Sequence, residues 1–173
     1  MSRLAIKRSD SGFSLIELLI VVAIILIIAA IAIPNLIRAR ISANESSAAS
    51  SVRTIASAQY EYNSAYPAVG FAANLASLGG ASPCTPGVGT ACLIDNTLAA
   101  GTKSGYTFLS AGSLPAGGVN TAFVASSAPQ NFNQTGVRDF CIITDGVLRS
   151  NPGAAGTPPA PDVATCQGYP VAQ

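Results

Sequence analysis

The chain has 173 residues, of which 49% are hydrophobic and only 10% charged, with a formal net charge of +1. So weak a charge leaves no basic surface for strong nucleic-acid binding. The absence of histidine excludes the usual nucleophilic triads and most zinc sites. This length holds one modest domain plus one long helix.

Residues 1–12 read as a leader, with Arg3, Lys7 and Arg8 against Asp10. A secretory signal peptide is cut after its apolar region. Here the junction Gly12-Phe13 precedes the apolar run 18–33, so a cut there leaves that run on the mature protein. The basic leader orients the N-terminus to the cytoplasm and the rest outside. Removing residues 1–12 shifts the formal charge to about −1. From Phe13 to Ile33 a helix rises about 31 Å, close to the ~30 Å hydrocarbon core. It is apolar on all sides, and Ala23, Ala29, Ala30 and Ala32 let neighbouring helices approach. Glu17 at its mouth costs a few kcal/mol in lipid and needs a partner or a purpose.

The stretch GFSLIELLIVVAIILIIAAIAIPNLI, residues 12–37, closely resembles the prepilin signal of type IV pilins and pseudopilins. It has a cleavage glycine (Gly12), a first mature Phe13, a glutamate at mature position five (Glu17) and a proline within the helix (Pro34). The resemblance implies a prepilin peptidase that cuts between Gly12 and Phe13 and N-methylates Phe13. It implies assembly through Phe13, Glu17 and Pro34. Glu17 then pairs with the new Phe13 amine, either of a neighbouring subunit, which the resemblance favours, or within one helix.

By the same resemblance, most like that to a type IVa major pilin, the expected function is a structural subunit of a type IV pilus. It serves adhesion, twitching motility or DNA uptake, and it is not an enzyme. The alternative is the major pseudopilin of a type II secretion system. The implied partners are further copies in a helical homopolymer, the prepilin peptidase, the inner-membrane assembly platform and motor, minor pilins, and the lipid bilayer before assembly. The implied location is the inner membrane as a single-pass precursor, then an extracellular pilus or periplasmic fibre. No cofactor or metal is expected. Asp139, Asp145 and Asp162 offer carboxylates for calcium, but Asp145 is better explained by a turn.

Pro34 kinks or opens a helix that otherwise continues. Residues 35–66 contain no further Pro or Gly, and Ile37, Ile41, Ala48, Val52, Ile55, Gln59, Tyr62 and Tyr66 recur at three- or four-residue spacing. The pattern predicts one helix over about 14–65: a membrane and assembly part, 13–34, and an amphipathic part, 35–66, packed on a head. Tyr66-Pro67 marks its exit.

The segment 67–104 reads as a helix-to-sheet loop, with a short helix at Leu75 and Leu78. Four strands are expected in 105–150: residues 106–110, 122–126, 138–144 and 147–150, the last two joined by a hairpin at Asp145-Gly146. The tail, 151–173, reads as an irregular loop. Cys84, Cys92, Cys141 and Cys166 form an even set outside the cytoplasm, which implies two disulfides. Three connectivities exist; Cys84–Cys92 and Cys141–Cys166 are favoured, the second clipping the tail to a strand. The fold class is α+β, a long N-terminal helix packed on a four-stranded antiparallel sheet.

Overall fold

The computed structural model describes residues 12–172, and the leader residues 1–11 lie outside them. The chain divides at Arg38–Ala39 into two compact units. A single helix, α1 (Leu15–Ala65), contributes to both.

In the first unit, Ser14 immediately precedes α1, and its carbonyl accepts the Leu18 N–H at 3.2 Å. Pro34 lies inside the helix rather than ending it. Its missing N–H removes one bond of the ladder while leaving the flanking turns intact.

The second unit holds a five-stranded antiparallel sheet in sequential order. Its strands are β1 (Thr102–Lys103), β2 (Tyr106–Ala116), β3 (Val119–Pro129), β4 (Arg138–Ile143) and β5 (Arg149–Pro152). The expectation of four strands is therefore corrected to five. β1 lies within the segment expected to be loop and pairs with β2 across Ser104-Gly105, both at positive φ. β2 and β3 are eleven residues each, roughly twice the expected length. Gly117 and Gly118, at φ +59° and +86°, form the two-residue turn that joins them. Pro115 is tolerated in β2 because β1 pairs only at Tyr106 and Thr107, leaving the edge at Pro115 uncovered.

The Asp145-Gly146 turn is also longer than expected. Gly146 N–H bonds the Ile143 carbonyl, but Asp145 is held by the Val147 N–H and by Arg149, so pairing resumes only at Arg149. β5 thus starts two residues late.

One face of the sheet packs on α1. Ala48, Val52, Ile55 and Tyr62 are buried against Tyr106, Phe108, Phe123, Phe140 and Ile142. Leu75 and Leu78, in a short 3₁₀ turn capped by Asn74, close the end of this core with Leu98. Leu98 sits in α2 (Asn96–Ala99), capped by Asp95. The other sheet face carries a smaller cluster of Val124, Cys141, Ile143, Ala160 and Cys166. The tail covers it and is more ordered than an irregular loop. It contains α3 (Val163–Gln167), capped by the Asp162 carboxylate on Thr165 N at 2.7 Å. Residues 170–172 then run along β5, with Ser150 N–H on the Pro170 carbonyl and Ala172 N–H on the Leu148 carbonyl.

Candidate functional site

Two stretches of the chain carry features beyond packing: the N-terminal segment and the buried polar groups of the head.

In the N-terminal segment, Gly12 has open space where a Cβ would sit, and Phe13 is 87% exposed. From Phe13 to Ile28 every residue is exposed. The helix is long and apolar enough to cross a membrane, judged by length and composition. A helix hydrophobic all round is stable only in lipid or among other apolar helices. Each large apolar side chain gains about 1.5–3 kcal/mol on leaving water, so this run favours burial by something on the order of tens of kcal/mol.

Glu17 is not idle at the helix mouth. Its Oε2 accepts the backbone N–H of Ser14 at 2.9 Å. Ser14-Leu15-Ile16-Glu17 is thus the S-x-x-E pattern in which the third helical residue caps the start of the helix. The sequence reading missed this role, although a serine three residues before a glutamate at the head of an apolar run was the available signal. The positive end of the helix dipole further favours the carboxylate there. Oε1 carries no bond among the described residues. In the uncut chain Phe13 has a peptide nitrogen, so an internal Phe13–Glu17 ion pair requires the cut first.

In the head, three of the buried polar groups stand out: Glu45, Gln59 and Asp139. Glu45 accepts Val137 N–H on Oε1 at 3.0 Å, and both Nε and Nη2 of Arg138 on Oε2 at 2.9 and 2.7 Å. Arg138 also lies over the Phe140 ring, 5.5 Å from its centroid. Glu45 precedes Ala48 and Val52 by three and seven residues, so it belongs to the buried stripe of α1. That spacing was the signal for it. Gln59, which interrupts the stripe in sequence, is fully buried and completely used. It donates to the Ala72 carbonyl and Ser110 Oγ and accepts from Ala72 N–H, tying α1, the connecting segment and β2 together.

Asp139 is the third buried group and differs from the others. It faces the tail, 1% exposed, and its Oδ1 has no partner. Burial pushes its carboxyl up to about 6. The Asp145 carboxyl is instead held below its ordinary range, first by the hydrogen bond from Arg149. Asp162 is lowered by the Thr165 N–H it caps. Asp139, Asp145 and Asp162 therefore serve three separate local environments, and among the described residues no three potential ligands gather for a metal.

Cys84 is bonded to Cys92, and Cys141 to Cys166, with Cα separations of 6.1 and 5.9 Å. The first staples the loop beside Gly80. The second pins α3 to β4 beneath the tail. Tyr60 and Tyr62 lie on the head half of α1 and Tyr66 just past its end; the Tyr60 hydroxyl donates to the Thr144 carbonyl and that of Tyr62 to the Val88 carbonyl.

The family model of the prokaryotic N-terminal methylation motif matches residues 7–33. A relative, the type IV wide pilus major component PilA4 of Thermus thermophilus, is 63% identical over 38 residues. That match covers 22% of this chain and 29% of the relative, less than a third of either. No solved structure matches the chain. The N-terminal segment is type IV pilin-like.

Proposed function

We propose that this chain is a structural subunit of a type IV pilus filament, polymerising through its N-terminal helix. A prepilin peptidase cuts between Gly12 and Phe13 and methylates the Phe13 amine. Before assembly the subunit sits in the inner membrane with its N-terminus cytoplasmic. It then enters a fibre by exchanging lipid neighbours for other copies, driven by the assembly platform and its motor, with minor pilins as accessory subunits. The fibre serves adhesion, twitching motility or DNA uptake.

The observation that carries this reading is the exposed apolar helix with a carboxylate only half used at its start. Glu17 spends one oxygen on its own helix and retains the other. After the cut, a Phe13 amine of an adjacent copy has the charge and the reach to engage that oxygen. A charge pair of this kind in a low-dielectric bundle sets register between helices. Pro34 contributes by freeing a carbonyl within the span. An anchor alone has no need of Glu17, and a subunit moved by external motors has no need of an active site. The match to the prokaryotic N-terminal methylation motif and the pilus component among its relatives support the same reading.

Shearing cells and sequencing this chain from the fibre fraction tests it. The expected species begins at methylated Phe13. Recovery only from membranes, with residues 1–12 retained, overturns the reading. Recovery from a short periplasmic fibre that depends on a secretion apparatus selects the pseudopilin alternative instead.

A further inference from the structure

The solvent face of α1 in the head carries Ser46, Ser50, Ser57 and Ser64, all exposed, and two charges, Arg53 and Glu61. At about 100° per residue these positions fall within one arc of the helix. Neither Arg53 nor Glu61 makes an ion pair or hydrogen bond among the described residues. The other acids of this unit are committed. Asp95 holds Lys103, Asp145 holds Arg149, Glu45 holds Arg138, Asp162 caps α3, and Asp139 is buried under the tail. Glu61 is thus the exposed acid of the head left without a partner.

Arg53 borders a cavity of about 280 Å³ between α1 and β4, lined also by Ser42, Glu45, Ser46 and Arg138. Glu45 has already used both oxygens on Val137 and Arg138. Two guanidinium groups therefore face this cavity against one carboxylate, and the excess charge is positive. A carboxylate carried on a side chain is the complementary occupant.

We propose that this cavity receives Glu61 of a second copy of the chain, beside Arg53, as a charged contact between successive subunits. The inference rests on the fibre reading above and specifies the partner surface within it. Arg53 and Glu61 are eight residues apart, so they lie about 12 Å apart along the axis. That is too far to pair within one helix, where neighbours are three or four residues apart. A parallel copy displaced by about 12 Å brings its Glu61 level with Arg53 of the first. Each subunit then offers one cavity and one carboxylate at different heights. Such a heterologous contact cannot close on itself and repeats along an open filament.

The test uses the full-length chain expressed in its fibre-forming host. Arg53→Glu and Glu61→Arg are each expected to lower sheared fibre by about tenfold, through like charges brought together, and the combined reversal to restore it to within about twofold. Membrane levels of each variant, with both native disulfides formed, report folding separately. A second variant, Arg53→Cys with Glu61→Cys, is expected to give a ladder of covalent multimers on oxidation of intact fibres. A bridge within one chain is excluded because paired cysteines need Cα atoms within about 7 Å. Normal fibre from both single reversals, no recovery in the double reversal, or no ladder from the cysteine variant overturns the contact while leaving the fibre reading standing. Absence of the wild-type chain from fibres overturns both.

Discussion

Glu45 and Arg138, 93 residues apart in sequence, meet at 2.7 Å and join the middle of the long helix to the first residue of β4. The carboxylate is buried while the guanidinium remains half exposed. Solvent therefore reaches the cation, and the anion relies on Arg138 and the Val137 N–H for all its compensation. Removing part of that compensation leaves a buried group unmatched, which costs more than the pair itself contributes.

Glu45→Gln is accordingly expected to lower the stability of the head by about 1–3 kcal/mol. Arg138→Ala is expected to cost at least as much, because it strands the buried carboxylate. Urea unfolding of the detergent-solubilised chain, followed by tyrosine circular dichroism, measures both. Unchanged midpoints for both variants contradict the role assigned to the pair.

Gln59→Leu keeps the volume of the side chain but leaves the Ala72 N–H and carbonyl and the Ser110 hydroxyl without their partner. The expected loss is about 2–4 kcal/mol, with early amide exchange at Ala72. Hydrogen exchange resolved at Phe71–Ala72 distinguishes this from a general loosening of the core.

Asp139 gives a pH dependence of stability with a defined sign. Its carboxyl is raised by burial from 3.8 in the unfolded chain to about 6 in the fold. The native state therefore holds the proton more tightly, and this contribution falls as pH rises from about 3.8 to about 6, then stays level. Asp145 and Asp162, with lowered carboxyls, lose their contributions only as pH falls below 3.8. Wild type should be more stable at pH 5 than at pH 7.5 under constant salt, and Asp139→Asn should narrow that difference by raising stability at pH 7.5. A mutant with the wild-type pH profile excludes Asp139 as its source.

Glu17→Ala removes both the cap on Ser14 N–H and the unused carboxylate oxygen. The lost cap costs about 1 kcal/mol of a helix held mainly by its surroundings, so the head should fold and form its disulfides normally. Fibre yield, by contrast, should fall by an order of magnitude or more, because the register-setting charge is gone. Wild-type amounts of sheared fibre from Glu17→Ala rule out the proposed pairing with Phe13.

The sequence by itself determined the parts of this protein whose information is local. The apolar run, the serine and glutamate at its start, and the three- and four-residue spacing beyond Pro34 define α1, because helical bonds join residues four apart and each turn reports on its neighbours. The α+β class followed from that helix and the alternating strands after it. Only the tertiary structure decided the number and length of the strands, because Tyr106–Ala116 pairs along its length only once Gly117-Gly118 reverses the chain and Val119–Pro129 runs back beside it. It likewise decided the different fates of three buried polar groups. Gln59, Glu45 and Asp139 are indistinguishable from surface residues by type alone. One is fully bonded, one is salt-bridged and one is left with an unpartnered oxygen, because their surroundings come from segments distant in sequence.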